Sequence, residues 1–168
     1  EEEEYKIEKL LRKGRDDACY VRDYTKCGLT LPHELIKAVQ DILVEFYPGY
    51  GFELMDVLTN HEIRLNKEKT SPLLTINRGH GLGMANEITT IIQCILHKLT
   101  LSHRDFLKKM FALAWNDDFA VSGNLADLQH YQKIDERICK YLGLTLKKEK
   151  TRILFHAAEF CKKFPEMD

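Results

Sequence analysis

Two apolar runs, Phe111 to Trp115 and Phe119 to Val121, are separated only by Asn116, Asp117 and Asp118. Each run reads as a buried strand, and so short a polar break between them reads as a hairpin turn. That pairing constrains the fold more than anything else in the chain, because it demands an antiparallel sheet. Asn and Asp suit a tight turn, since both tolerate unusual backbone angles. Yet such turns usually carry Asn-Gly or Asp-Gly, and two adjacent Asp repel each other. A polar turn between two core strands accounts for the stretch. So does a pair of carboxylates whose repulsion a cation offsets.

The rest of the chain supplies elements around this hairpin. Residues 1–17 are charge-rich and read as a helix or frayed arm. Ala18 to Val21 is a short apolar strand that runs into Arg22-Asp23-Tyr24. Pro32 suits a helix start. Leu35, Ile36, Val39, Ile42, Leu43 and Phe46 then recur at helical spacing over 33–46. Pro48-Gly49-Tyr50-Gly51 ends that helix. Phe52 to Leu58 is a candidate helix, and Glu62–Leu65 and Leu73–Ile76 are candidate paired strands. A glycine-rich loop, Asn77 to Asn86, leads into an apolar helix, Ile88 to Leu99, whose composition predicts burial on most sides. After the hairpin, Leu125 to Leu142 is amphipathic, with Leu128, Tyr131, Ile134, Ile138 and Tyr141 on one face. Gly143 ends it in the position that helices favour for Gly. Leu144–Leu146 and Ile153–Phe155 are candidate strands. The order predicts an α+β fold, a layer of helices on an antiparallel sheet.

Composition narrows the function classes. The 168 residues carry a net charge of −1, with 44% hydrophobic and 30% charged residues. This is ordinary for a globular domain and gives no global basic footprint, so any nucleic-acid contact must be local. No apolar run approaches a membrane span, and no signal-peptide pattern opens the chain. The five cysteines are scattered, with no CxxC pair. They predict reduced, buried thiols in an intracellular protein and argue against a zinc site. The chain opens without an initiator Met, which suggests a piece of something longer.

Asp23 falls at the end of the first strand and Asp117 and Asp118 at the hairpin tip. If the two strands are neighbours, three carboxylates converge at one end of the sheet. Such oxygen-only clusters suit Mg2+ or Mn2+, and two ions so held can clamp both oxygens of a phosphoryl transfer. Gly79-His-Gly-Leu-Gly83 lacks the Gly-Lys-Ser/Thr end of a P-loop and the GxGxxG spacing. Its glycines would let a loop flex or let a nucleic-acid backbone come close. Asp23 alone would be an ordinary strand-end residue, His80 an exposed loop histidine, and Trp115 and Phe119 core.

In this order the segments resemble the palm domain of viral RNA-dependent RNA polymerases, across about residues 18–164. Arg22-Asp-Tyr-Thr-Lys-Cys-Gly-Leu-Thr-Leu-Pro32 is similar to motif A. Arg78-Gly-His-Gly-Leu-Gly-Met-Ala-Asn86, with Thr89 and Thr90 behind it, is similar to motif B. Ala114-Trp-Asn-Asp-Asp-Phe119 is similar to motif C, usually Gly-Asp-Asp. Leu142 to Thr151 resembles motif D, and Ala158 to Phe164 motif E. The wording of motifs A and B is nearest to narnavirus-like and other simple fungal RNA virus polymerases.

The resemblance implies a palm with an RRM/ferredoxin-like core over residues 18–168, whose fingers and thumb are absent. It implies two Mg2+ or Mn2+ ions on Asp23, Asp117 and Asp118. Asn86 would read the ribose 2′-hydroxyl. Arg78, Gly79, Gly81 and Gly83 would contact substrate and follow the template. One of Lys147, Lys148 and Lys150, with Lys148 favoured, would protonate the leaving pyrophosphate. Lys162 and Lys163 would grip the primer strand. The implied partners are an RNA template, a primer or product strand, NTPs and the missing parts of a longer polymerase or second subunit, in the host cytoplasm and off the membrane.

Two departures stand out. A second Asp, usual five residues after the first in motif A, is Gly28 here, which bears on ribose selection. Motif C opens on Asn116 rather than Gly, a change of one turn former for another. Reverse-transcriptase palms share this layout, and Trp115 does not separate the two. A catalytically dead palm scaffold is the alternative that Gly28 motivates, and a nucleotide cyclase lacks its Gly-Gly-Asp/Glu signature here. Arg12, Lys13 and Arg15 are at most a remnant of an upstream triphosphate-binding segment, so this segment alone is expected to have little or no activity.

Overall fold

The computed structural model describes residues 18–68, 70–81, 85–104 and 110–155. The charged arm expected over 1–17, with Arg12, Lys13 and Arg15, lies outside the described residues, as do Gly83 and the motif E segment with Lys162 and Lys163.

Four antiparallel strands form the main sheet in the order β4-β5-β1-β6. They are β1 (Ala18–Arg22), β4 (Phe111–Trp115), β5 (Asp118–Gly123) and β6 (Arg152–Phe155). The predicted α+β layering is what the chain adopts. β1 is central, paired on one side with β5 (Arg22 opposite Phe119) and on the other with β6 (Val21 opposite Arg152). All five of its residues are buried. Alternation along the strand sends Ala18, Tyr20 and Arg22 to one face and Cys19 and Val21 to the other. The first set packs with Phe119, Val121, Leu128 and Tyr131. The second packs with Ala120, Leu113 and Leu154.

Among the described residues the helices are α1 (Cys27–Thr30), α2 (His33–Phe46), α3 (Asn86–Ser102) and α4 (Leu125–Tyr141); α4 packs on the Tyr20 face, α3 lies against β4 and α4, and α2 packs on α3. A 3-10 helix occupies Phe52–Leu58, and β2 (Glu62–Ile63) pairs antiparallel with β3 (Leu74–Thr75), as expected. Asn124 caps α4 by accepting the Asp127 N–H at 3.0 Å, and Gly143 follows its end at φ +69°. Ile36, Ile92, Leu96, Cys139 and Leu144 join α2, α3 and the end of α4 in a second core.

Four sequence expectations need correction. β4 is an edge strand, and Phe111 and Trp115 are 45% and 49% exposed. Their odd-numbered positions face away from the helices, while Ala112 and Ala114 face the core. α3 buries one stripe only, Thr89, Ile92, Gln93, Leu96 and Thr100, and leaves Leu99 at the surface. Tyr141 is 91% exposed, because the buried stripe of α4 runs through Leu128, Tyr131, Asp135 and Cys139. Leu144–Leu146 makes no strand, only a bridge from Leu146 to Tyr24.

The cysteines follow their burial. Cys19, Cys27, Cys94 and Cys139 are free thiols. Burial pushes Cys19 and Cys27 up to about 12 and Cys139 up to about 11, so these three are inert at neutral pH. Cys94 is exposed.

Candidate metal and phosphate site at the sheet end

The hairpin tip is shorter than its polar run suggests. Trp115 pairs with Asp118, so Asp118 belongs to β5 and only Asn116 and Asp117 form the connection. Asn116 takes the left-handed conformation at φ +52°, which its short polar side chain tolerates. Because β1 and β5 are neighbours, Asp23 emerges beside this tip. Asp23, Asp117 and Asp118 line one cavity of about 170 Å³ with Phe119, Lys147 and Lys150.

Asp23 is fixed from the main chain outward. Its carbonyl accepts the Lys147 N–H at 2.9 Å, and the Thr25 N–H donates to the Thr145 carbonyl at 2.7 Å. This pairing draws the segment after α4 alongside the end of β1. The Lys147 ammonium then donates to both carboxylate oxygens of Asp23 at 3.0 Å. Lys150 stands 3.4 Å from Oδ2. Residues 147–150 form a turn closed by the Lys150 N–H on the Lys147 carbonyl at 3.0 Å. Positions three apart in such a turn share a side. Lys148 falls on the other side, in a separate cavity with Glu136, Lys140 and Leu144. The structure therefore brings Lys147 and Lys150 to the carboxylates and leaves Lys148 away from them.

Among the described residues, no three His, Cys, Asp or Glu side chains stand together as a ready metal cage. The three carboxylates share a cavity, and the counter-charge for Asp23 comes from its two lysines. The donor set is all carboxylate oxygen, which fits Mg2+ or Mn2+ and excludes a thiolate or imidazole type of site.

The glycine loop is docked rather than loose. The Gly79 N–H donates to the Leu31 carbonyl at 2.7 Å, and His80 and Gly81 N–H groups donate to the Gly28 carbonyl at 2.8 and 3.0 Å. His33 Nε2 bonds the Gly79 carbonyl at 2.8 Å. A Cβ on Gly28 would meet the Gly81 carbonyl oxygen at 2.5 Å. Gly at position 28 thus lets the loop lie against α1. His80 is not the exposed residue expected. It is 2% exposed, with Nε2 on the Thr89 hydroxyl at 2.9 Å, and burial lowers its pKa. Arg78 is a clamp between elements: Nε donates to the Thr30 carbonyl at 2.9 Å and a terminal nitrogen to the Leu142 carbonyl at 2.6 Å. Asn86 opens α3, half-buried.

Beneath the carboxylates lies a polar network that apolar periodicity had concealed. Arg22, with a fully buried side chain, pairs with Asp135 of α4 and donates to the Gln93 amide oxygen. Its guanidinium lies over Phe119 at 4.3 Å and Tyr24 at 4.9 Å. Tyr20 donates to the second Asp135 oxygen at 3.0 Å. Burial opposes the Arg22 charge most strongly, but Asp135 together with Tyr24, Cys139 and Tyr20 outweighs it and holds the guanidinium protonated. Burial lifts Asp135, and Arg22 pulls it back. One signal in the sequence could have found this pair. Arg22 lies in the Ala18, Tyr20 register, and an inward Arg requires a buried anion.

No family model matches the chain, and no curated protein does. Among solved structures it is similar to the crystal structure of the RNA-dependent RNA polymerase of a human picorbirnavirus. The TM-score is 0.68 at 15% identity, over 96% of this chain. The chain spans 31% of that polymerase's length. This likeness establishes the polymerase-type fold.

Proposed function

We propose that this chain is the catalytic palm of an RNA-dependent RNA polymerase. It would carry out template-directed transfer of a nucleotide to a 3′-hydroxyl. One observation carries the reading. The ends of β1 and of the β4–β5 hairpin bring Asp23, Asp117 and Asp118 around one cavity with Lys147 and Lys150. The shared fold with a viral polymerase supports it. The motif order supports it too, and its wording favours the narnavirus-like type.

Asp23 and Asp117, with Asp118 as the less direct carboxylate, would hold two Mg2+ or Mn2+ ions. Bound there, the ions would supply Lewis-acid activation of the hydroxyl and charge neutralisation on the pyrophosphate. The residues around them divide the remaining work. Lys147 and Lys150 offset the carboxylate charge, and either could meet a triphosphate entering the cavity. Lys147, in contact with Asp23, is better placed than Lys148 to give a proton to the leaving pyrophosphate. Asn86 would contact the ribose, and Gly79, Gly81 and Gly83 with Arg78 would form the loop beside substrate and template. Lys162 and Lys163 would hold the primer strand. RNA strands, NTPs and the fingers and thumb of a longer polymerase are the partners, within the host cell. Among the described residues, no helix is long and apolar enough to cross a membrane.

The test is primer extension on an RNA template, with this palm set in a complete polymerase. Incorporation of rNTP, lost in Asp117→Asn and reduced in Lys147→Ala but not in Lys148→Ala, is the expected result. Preference for dNTP, or full activity in Asp117→Asn, would overturn it.

A further inference from the structure

Gln93 lies on the buried stripe of α3 with no exposed surface. Its Oε1 accepts from the Arg22 guanidinium and from the Tyr24 hydroxyl at 3.2 Å. Its Nε2 donates to the carbonyls of Asn116 at 3.3 Å and Asp117 at 3.2 Å. Arg22 offers only donors and the two carbonyls only acceptors, so the amide fits one way round. One turn earlier on the same helix, Thr90 Oγ1 accepts the Asn116 N–H at 2.8 Å and donates to the Asn86 carbonyl at 2.8 Å. Two side chains of α3 thereby hold three main-chain groups of the hairpin tip. The tip needs such holding, because Asn116 sits in the left-handed region. Arg22 is anchored in turn by Asp135 and directly precedes Asp23 in the chain.

We propose that Gln93 is a positioning residue for the carboxylate site. With Thr90, it fixes the main chain of Asn116 and Asp117 against the Asp135–Arg22 pair, and so sets Asp117 relative to Asp23 from beneath. The use made of the two carboxylates rests on the polymerase reading; the positioning itself does not. Gln93 touches no substrate and acts only through the hairpin tip.

The test uses the whole chain and the variants Gln93→Glu and Thr90→Val. Glu keeps the size of Gln and still accepts from Arg22. As a carboxylate it has no proton for the two carbonyls. Backbone NMR reads the tip without any metal, and paramagnetic relaxation reads Mn2+ affinity. In Gln93→Glu the resonances of residues 116–118 should move while those of the β2–β3 pair, outside this network, stay. Mn2+ affinity should fall about 10-fold or more, the usual range for partners that orient ligands. Thr90→Val should act in the same direction. A folded Gln93→Glu with unmoved tip resonances and unchanged Mn2+ affinity overturns the inference. If Gln93→Glu does not fold, Thr90→Val decides: moved tip resonances support the inference and unmoved ones overturn it. If the wild-type chain alone binds no Mn2+ at millimolar concentration, the tip resonances alone decide the positioning claim.

Discussion

Replacing Asp135 by Asn leaves Arg22 charged in a place that water does not reach. The side chains of Arg22 and Asp135 are 0% and 1% exposed. Asn is nearly the same size, so no cavity opens, and what changes is the charge. Breaking one side of a buried pair costs roughly 3–5 kcal/mol, because the remaining ion has no counter-charge. The Tyr20 hydroxyl keeps an acceptor only if the new amide turns its oxygen that way. The amide nitrogen then faces Arg22, which has only donors. The rings of Phe119 and Tyr24 lie over the guanidinium in both forms and leave the difference unchanged. A net cost of about 4 kcal/mol follows. For a chain of this length each kcal/mol lowers the unfolding midpoint by about 2–4 °C, so the midpoint should fall by about 8–16 °C. Scanning calorimetry with urea titration measures both. The double variant Arg22→Met with Asp135→Leu should be more stable than Asp135→Asn, since no unpaired charge is left inside. A loss below about 1 kcal/mol in Asp135→Asn, or a double variant less stable than it, would refute the reasoning.

Two further outcomes follow from local geometry. His97, bonded to the Tyr131 hydroxyl at 2.9 Å, is lowered to about 4 by burial and then by Arg22. The fold favours its neutral form, so this contribution is intact above pH 6.5, the ordinary value, and is lost as pH falls through about 4. It amounts to at most about 3 kcal/mol, and His97→Phe should flatten the fall in urea midpoint across that window relative to wild type. Gly79 holds φ +82°, and a Cβ there would stand 2.4 Å from the Gly28 carbonyl oxygen. Gly79→Ala should therefore cost about 2–4 kcal/mol if the loop stays docked, or else undock it, which faster amide exchange at residues 79–81 would report.

The hairpin, the helix over 33–46 and the α+β layering were legible because each rests on local pattern and turn chemistry. The meeting of Asp23 with Asp117 and Asp118 was legible once the two strands were taken as neighbours, a pairing that β1 and β5 make. The choice among the lysines was not legible. Lys147, Lys148 and Lys150 are alike in sequence, and only the turn after Leu146 sorts them by side. The exposure of Trp115 was hidden because an apolar edge strand reads like an inner one. Asp135 and Gln93 were hidden for another reason. Hydrophobic periodicity skips polar residues, although both sit in register with their buried stripes. His80 looked exposed because its burial depends on docking against Gly28, a contact 52 residues distant in the chain.

Every role proposed at the sheet end depends on the carboxylates acting as one divalent-metal site. Mn2+ binding should be followed by paramagnetic relaxation in wild type, Asp23→Asn and Asp117→Asn, with NTP and a primer–template present. Saturable binding in wild type, strongly weakened in each variant, is the expected result. Binding that is absent in wild type, or unchanged by both substitutions, would contradict it.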